Sequence, residues 1–100
     1  MSGDEVLYGV RTGTVQDVSA ALAARLNCTF EERDSYYVGE YLLARTGHGE
    51  LQVVPQLGPE DDPVDEKFEE YAVLIYSTAD PAELELRGIP VGQGEVERLR

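Results

Sequence analysis

The segment that most restricts the fold is the run Tyr71-Ala72-Val73-Leu74-Ile75-Tyr76. Almost every residue in it is apolar, which is typical of a strand whose two faces are both covered. The sequence therefore predicts a sheet in which this segment is a central strand.

A helix is predicted in the N-terminal third of the chain. Thr14 followed by Asp17 resembles a capping box and places a carboxylate near the positive end of the helix dipole. Asn27 suits a left-handed helix stop. Apolar residues recur between these ends at spacings of three or four, which indicates about three helical turns: Val15, Val18, Leu22 and Leu26.

Other segments carry strand patterns, with apolar alternation or many Tyr, Val and Leu residues. Gly47-His48-Gly49 predicts a hairpin turn between two of them. A short segment at the C-terminus is either an edge strand or a frayed end. The predicted strands are 6–11, 28–33, 36–45, 50–56 and 71–76, with 96–99 as the terminal candidate.

A second helix is predicted from Asp80, since Asp suits the N-cap, Pro81 the first helical position and Glu83 the third. Gly88 and Pro90 would end it. The element order predicts a single α+β domain over residues 1–100. We expect a mostly antiparallel sheet of about five strands with two helices packed on one face, in a ferredoxin-like or related arrangement. The other face would be free for water or a partner.

The charge balance limits the partners of the chain. Asp and Glu number 20 against 8 Lys and Arg, a net charge of −12. This field opposes binding to nucleic-acid phosphates or an anionic membrane and favours basic partners. Solubility alone is the alternative explanation. We find no signal-peptide pattern and no run near the ~18 apolar residues of a membrane span, so a cytoplasmic location is expected.

Half of this charge lies in one segment, residues 58–70, which we call the acidic segment. It carries seven carboxylates against Lys67. Long connections are usually either functional or disordered, so the segment is either a contact surface for a basic partner or a solvated linker. The candidate contact residues are Glu60, Asp61, Asp62, Asp65, Glu66, Glu69 and Glu70.

Tyrosines cluster in the predicted strand 36–45. Alternation places Tyr37 and Tyr41 on one face and Tyr36 and Glu40 on the other. Some of these tyrosines must pack in the core. Those on an open face, beside Asp34 and Glu40, would anchor a partner, because Tyr is favoured at interface hot spots.

Residue patterns typical of catalysis are sparse. Cys28 is the only cysteine and His48 the only histidine. His48 lies between two glycines, a solvated place for a catalytic base, and one cysteine cannot form an internal disulfide or a Cys-rich zinc site. The acidic segment lacks EF-hand spacing, and Gly92-Gln93-Gly94 lacks the lysine and helix of a phosphate loop. We therefore predict no enzymatic activity, no cofactor and no metal site.

The stretch from Phe30 to Tyr41 (FEERDSYYVGEY), after the Ala-rich helix, resembles small acidic proteins of actinobacteria. These have a helix, a hairpin of pattern F-E-x-R-x-S-x-Y-x-G-x-Y, an acidic loop and an apolar strand ending in Tyr. The resemblance covers roughly residues 15 to 87. Several members resemble immunity proteins, which neutralise a cognate secreted toxin, and many such toxins are basic.

The resemblance and the charge together predict a binding protein, an immunity-type inhibitor of a basic toxin domain such as a nuclease. Its contact surface would combine the acidic segment with the hairpin from Tyr36 to Tyr41. A small regulatory or interaction module, homodimeric through an open sheet face or an edge strand, is the alternative. An enzyme is the third hypothesis.

Overall fold

The computed structural model describes residues 5–35, 39–56, 66–80 and 82–99. These residues form one α-helix, a 3-10 turn at Glu66–Phe68 and eight strands. In chain order the elements are β1 Val6–Val10, α1 Val15–Leu26, β2 Phe30–Ser35, β3 Gly39–Thr46, β4 Gly49–Pro55, β5 Val73–Ser77, β6 Pro90–Val91, β7 Gly94–Glu95 and β8 Glu97–Arg98.

Six of the strands form one antiparallel sheet in the order β2-β3-β4-β5-β1-β8. The predicted central strand is confirmed: β5 pairs with β4 on one side and with β1 on the other. Its successive residues Val73, Leu74 and Ile75 are all buried. Because neighbouring side chains of a strand point to opposite faces, both faces of the sheet must be covered here. The strands β6 and β7 form a separate two-stranded hairpin.

The predicted first helix is also confirmed. The Thr14 hydroxyl accepts from the Asp17 amide at 3.1 Å, and the Asp17 carboxylate accepts from the Thr14 amide at 3.1 Å. This capping box satisfies two amides that the helix leaves unpaired. At the other end Asn27 adopts the left-handed conformation with φ 56°.

The main core lies between α1 and one face of the sheet, which we call the helix face. Val18 and Leu22 of α1 belong to the same buried cluster as the inward residues of β1, β4 and β5. Segment 84–96 covers the rest of this face. Its buried apolar residues are Leu86, Ile89, Val91 and Val96.

The other face of the sheet, which we call the second face, carries its own apolar cluster, contrary to the expectation of a free face. Its buried members are Leu7, Val54, Tyr71 and Leu74. The half-buried Phe68 of the acidic segment and Tyr71, directly after that segment, cover the sheet, and Leu99 covers it from the C-terminal end. The prediction failed because Tyr71 and Leu99 pack on Gly9 of β1, and both lie far from β1 in the sequence.

The second helix and the ferredoxin-like arrangement are not confirmed. The amides of Glu83 and Leu84 bond to the Asp80 carbonyl at 2.8 and 2.9 Å, and the Ala82 amide bonds to the Asp80 carboxylate at 2.9 Å. These contacts make a turn, after which Leu86 and Ile89 enter the core without helical structure. A helix confined between Asp80 and Gly88 is too short to be stable by itself, so burial of the two apolar side chains decides the conformation. In the described ranges no helix is long and apolar enough to cross a membrane.

Candidate functional site

An open groove of about 820 Å³ lies where the N-terminus of α1 approaches the end of the β2–β3 hairpin. The N-cap Thr14 begins one wall, and the hairpin forms the other. Pro55 and Val73, from the ends of β4 and β5, also line it. The remaining described lining residues are Gly13, Val15, Gln16, Glu32, Arg33, Asp34, Gly39, Glu40, Tyr41, Leu42 and Ala72.

The pairing register of the hairpin brings three carboxylates together on the helix face. Asp34 lies directly opposite Glu40, and Glu32 lies opposite Leu42. Residues two apart on a strand share a face, so Glu32, Asp34 and Glu40 project to the same side. All three are exposed and line the groove. We call these three residues the hairpin carboxylates.

These carboxylates have no cationic partner among the described residues. The only arginine on β2, Arg33, alternates with them and faces the other way. Its guanidinium pairs with Glu31 at 2.9 Å, on the second face. Like charges placed directly opposite in a sheet destabilise it, so the Asp34–Glu40 pair repels itself in the free protein.

Apolar residues adjoin the acidic rim. Val15 and Leu42 are half-buried and pack against the main core, and both line the groove. The arrangement suits a cationic side chain that has an apolar stem, since Lys and Arg bury their methylenes while the charged group remains near carboxylates.

The structure places the candidate contact residues of the hairpin in different surroundings, and two of them lie outside the described part of the chain. Asp34 and Glu40 are brought together as described. Tyr41 lines the groove, but it also packs against the second-face cluster, so part of its side chain contributes to packing. Tyr36 and Tyr37 lie outside the described residues. Glu32 was not among the candidates, although its two-residue spacing from Asp34 places it on the same face.

The acidic segment is described only from Glu66 onwards. Glu66, Glu69 and Glu70 are exposed, and none of them is among the described residues that line the groove. The other four candidates, which lie outside the described residues, are Glu60, Asp61, Asp62 and Asp65.

None of three comparisons found a match: a scan of protein-family models, a search of curated proteins and a search of solved structures. Function must therefore be inferred from the geometry and charge of the chain itself.

The end of the acidic segment is fixed to the sheet by Tyr71. The Tyr71 hydroxyl donates to Glu97 Oε1 at 2.6 Å, and Arg11 pairs with Glu97 Oε2 at 3.1 Å. The Arg11 guanidinium also lies 4.6 Å from the centroid of the Tyr71 ring, within cation–π range. Gln56 donates to the backbone carbonyls of Phe68 and Tyr71 at 2.6 and 3.2 Å. These contacts hold residues 68–71 against β8 and against the residues that directly follow β1 and β4.

This network shifts the pKa of two of its members. The pKa of Glu97 is lowered because the Tyr71 hydroxyl donates to its carboxylate and Arg11 lies beside it. The pKa of Tyr71 is raised, chiefly because its proton is held in the bond to Glu97. Both shifts widen the pH range in which Tyr71 is protonated and Glu97 is ionised, and these are the forms that make the hydrogen bond.

The candidates for chemistry lie apart from the groove. The His48 ring is exposed on the β3–β4 turn, with Nδ1 3.3 Å from Glu83 Oε1. Cys28 is half-buried, and burial raises the pKa of its thiol, which disfavours the reactive thiolate. In the described part of the chain, no group of three or more His, Cys, Asp or Glu residues is arranged to hold a metal ion.

Proposed function

We propose that this protein is a binding protein, an immunity-type inhibitor that neutralises a basic toxin domain through its acidic surface. The observation that supports this most directly is the set of hairpin carboxylates beside the groove. They are exposed, they have no described cationic partner, and Asp34 and Glu40 repel each other. A basic partner would neutralise the repulsion on binding.

The net charge of −12 supports the same proposal at longer range. It would steer a basic domain toward the protein and raise the association rate at low salt. We assign the acidic segment to the contact surface as a second patch. Glu66, Glu69 and Glu70 are exposed on a part of the chain that Tyr71 fixes to the second face, whereas the hairpin carboxylates lie on the helix face.

The test is co-expression with the product of the neighbouring gene, followed by affinity measurements at low and high salt. A triple variant, Glu32→Gln, Asp34→Asn and Glu40→Gln, removes the hairpin carboxylates. We expect it to bind roughly 3- to 150-fold more weakly, from about 0.2–1 kcal/mol for each exposed charge pair.

A matched control separates position from net charge. Glu5, Glu83 and Glu95 are exposed and do not line the groove. Replacing all three by Gln removes the same charge and should change affinity much less. Equal losses in the two triple variants would show that only the net charge matters. Affinity that is indifferent to both variants and to salt would reject the proposal.

The acidic segment is tested separately by a third variant, in which Glu66, Glu69 and Glu70 are replaced by Gln. Weaker binding would assign the segment to the contact surface. Unchanged binding would make the segment a linker and leave the hairpin carboxylates as the contact surface.

A further inference from the structure

The two edge strands of the sheet differ in length and in the contacts that their side chains make with the rest of the protein. At one edge β8 is only two residues long, and Glu97 ties it to Arg11 and Tyr71. At the other edge β2 has six residues, and in the described part of the chain no strand pairs with its outer side. Every second residue of such an edge turns its backbone amide and carbonyl outward. Strand β2 therefore presents a row of groups ready for pairing.

The side chains of this edge decide what can pair with it. Glu31, Glu32, Arg33 and Asp34 are all exposed. Charges on edge strands prevent unwanted pairing between copies of a protein. Here the charges are mainly of one sign, and Arg33 is held by Glu31 at 2.9 Å.

A second copy of the chain is a poor occupant of this edge. A symmetric antiparallel pair of β2 strands keeps residues of the same face opposite each other. Centred on Glu31, Glu32 or Asp34, the pair places that carboxylate opposite its own copy. Centred on Arg33, it places Glu32 opposite Asp34 twice. Every register that pairs three or more residues of β2 thus opposes at least one pair of like charges, which destabilises the pairing. Centring on Glu32 also places Glu31 opposite Arg33 twice, but these contacts only replace the Glu31–Arg33 ion pair that each copy already has.

A strand that carries basic residues would instead place opposite charges beside those of β2. Basic residues two apart would lie directly opposite Glu32 and Asp34 on the helix face, with Glu40 one strand further in. We propose that β2 accepts an extended basic segment of the protein partner, which adds as an antiparallel strand and carries Lys or Arg at alternate positions. Main-chain bonds would supply affinity, and the alternating cations would supply specificity. The inference rests on the proposed function for the basic character of the partner.

The probe is a synthetic seven-residue peptide in which arginine alternates with valine. It is compared with two twins of the same sequence, one N-methylated at the odd positions and one at the even positions. Alternate amides of a strand point toward and away from a neighbouring strand, so only one twin loses the bonds to β2. We expect the parent peptide to bind and to protect β2 amides from hydrogen exchange. One twin should bind at least about 5-fold more weakly, and the other should bind like the parent.

The charge pairing is tested with the double variant Glu32→Gln and Asp34→Asn. Binding of the parent peptide should weaken about 2- to 30-fold, the range for two cross-strand charge pairs. The variant in which Glu83 and Glu95 are replaced by Gln is the matched control and should bind as the unmodified protein does.

The outcomes separate strand addition from the proposed function. If both N-methylated twins bind like the parent, or if β2 amides gain no protection, strand addition is wrong. The proposed function would still stand if the partner domain keeps its dependence on the hairpin carboxylates. If neither the peptide nor a basic partner domain depends on these residues, both proposals fail.

Discussion

Replacing Gly9 by alanine tests how the acidic segment is fixed to the sheet. Gly9 lies in the middle of β1, where the Tyr71 ring and Leu99 pack directly on the backbone. A Cβ atom at this position would lie 2.8 Å from Tyr71 Cδ2 and 2.8 Å from Leu99 Cδ1. The glycine is required here by close packing on the second face and not by a turn.

The expected cost follows from these distances. Carbon atoms pack best at about 3.5–4.0 Å, so the added methyl group is too close by about 1 Å to two side chains. Overpacking of this kind typically costs about 1–3 kcal/mol. Replacing glycine by alanine recovers about 0.4–1 kcal/mol by restricting the unfolded chain. We expect a net loss of about 1–2 kcal/mol, since a displaced Tyr71 ring also disturbs its bond to Glu97.

Urea denaturation and thermal unfolding measure this loss, which corresponds to a lower Tm by roughly 5–15 °C. Gly47→Ala is the matched control, because a Cβ there has no atom within 4 Å. In addition, Gly9→Ala should cost less in a Leu99→Ala background, where one of the two clashes is absent. The packing account is refuted if Gly9→Ala and Gly47→Ala are equally stable.

Three further changes have definite expected results. Tyr8→Phe should leave stability unchanged or raise it by up to about 1 kcal/mol in urea denaturation, because the buried Tyr8 hydroxyl makes no hydrogen bond of normal length and angle in the described part of the chain and has only a weak polar contact with the Leu86 backbone. Glu97→Gln should flatten the loss of stability on acidification. The lowered pKa of Glu97 gives stability that is present above its ordinary value of 4.5 and is lost as pH falls through the folded value. Glu40→Gln should raise stability by about 0.2–1 kcal/mol in thermal unfolding, since it removes the like charge opposite Asp34.

Each of these results has a clear contrary outcome. A Tyr8→Phe variant that is less stable by more than 1 kcal/mol would mean that the contact between the Tyr8 hydroxyl and the Leu86 backbone is a stabilising hydrogen bond. Equal slopes of stability against pH for Glu97→Gln and the unmodified protein would remove Glu97 from the acid transition. Glu40→Gln is compared with Glu95→Gln at an exposed position of β7. If Glu95→Gln gives the same gain, the gain reflects net charge and not the cross-strand pair.

The sequence was sufficient where the structure depends on local physics. The first helix follows from Thr14, Asp17 and Asn27, whose capping roles involve only neighbouring residues. The apolar run Tyr71–Tyr76, most of which lies in β5, required cover on both faces, and the apolar clusters on the helix face and the second face provide it. The segment after Asp80 shows the limit of such rules. Its capping residues are favourable, but burial of Leu86 and Ile89 against distant strands outweighs the local preference for a helix.

Sequence patterns could not predict the contacts between segments that are distant in the chain. Tyr71 packs on Gly9, a residue 62 positions away, and no periodicity links the two. At the groove, the acidic character of Asp34 and Glu40 was evident, but their direct opposition depends on the hairpin register. The approach of Thr14 to the hairpin depends on how α1 crosses the sheet.

The hairpin carboxylates connect stability with binding. A directly opposed acidic pair weakens the end of the hairpin. Packing in the core cannot be the reason for this pair, since Asp34 and Glu40 are exposed. Removing either charge should therefore stabilise the free protein and weaken its binding to a basic partner. A residue that serves only solubility would not have opposite effects on stability and on binding, because its removal would leave binding unchanged. Measured together, the change in Tm and the change in affinity for Glu40→Gln distinguish a binding surface from a solvating one.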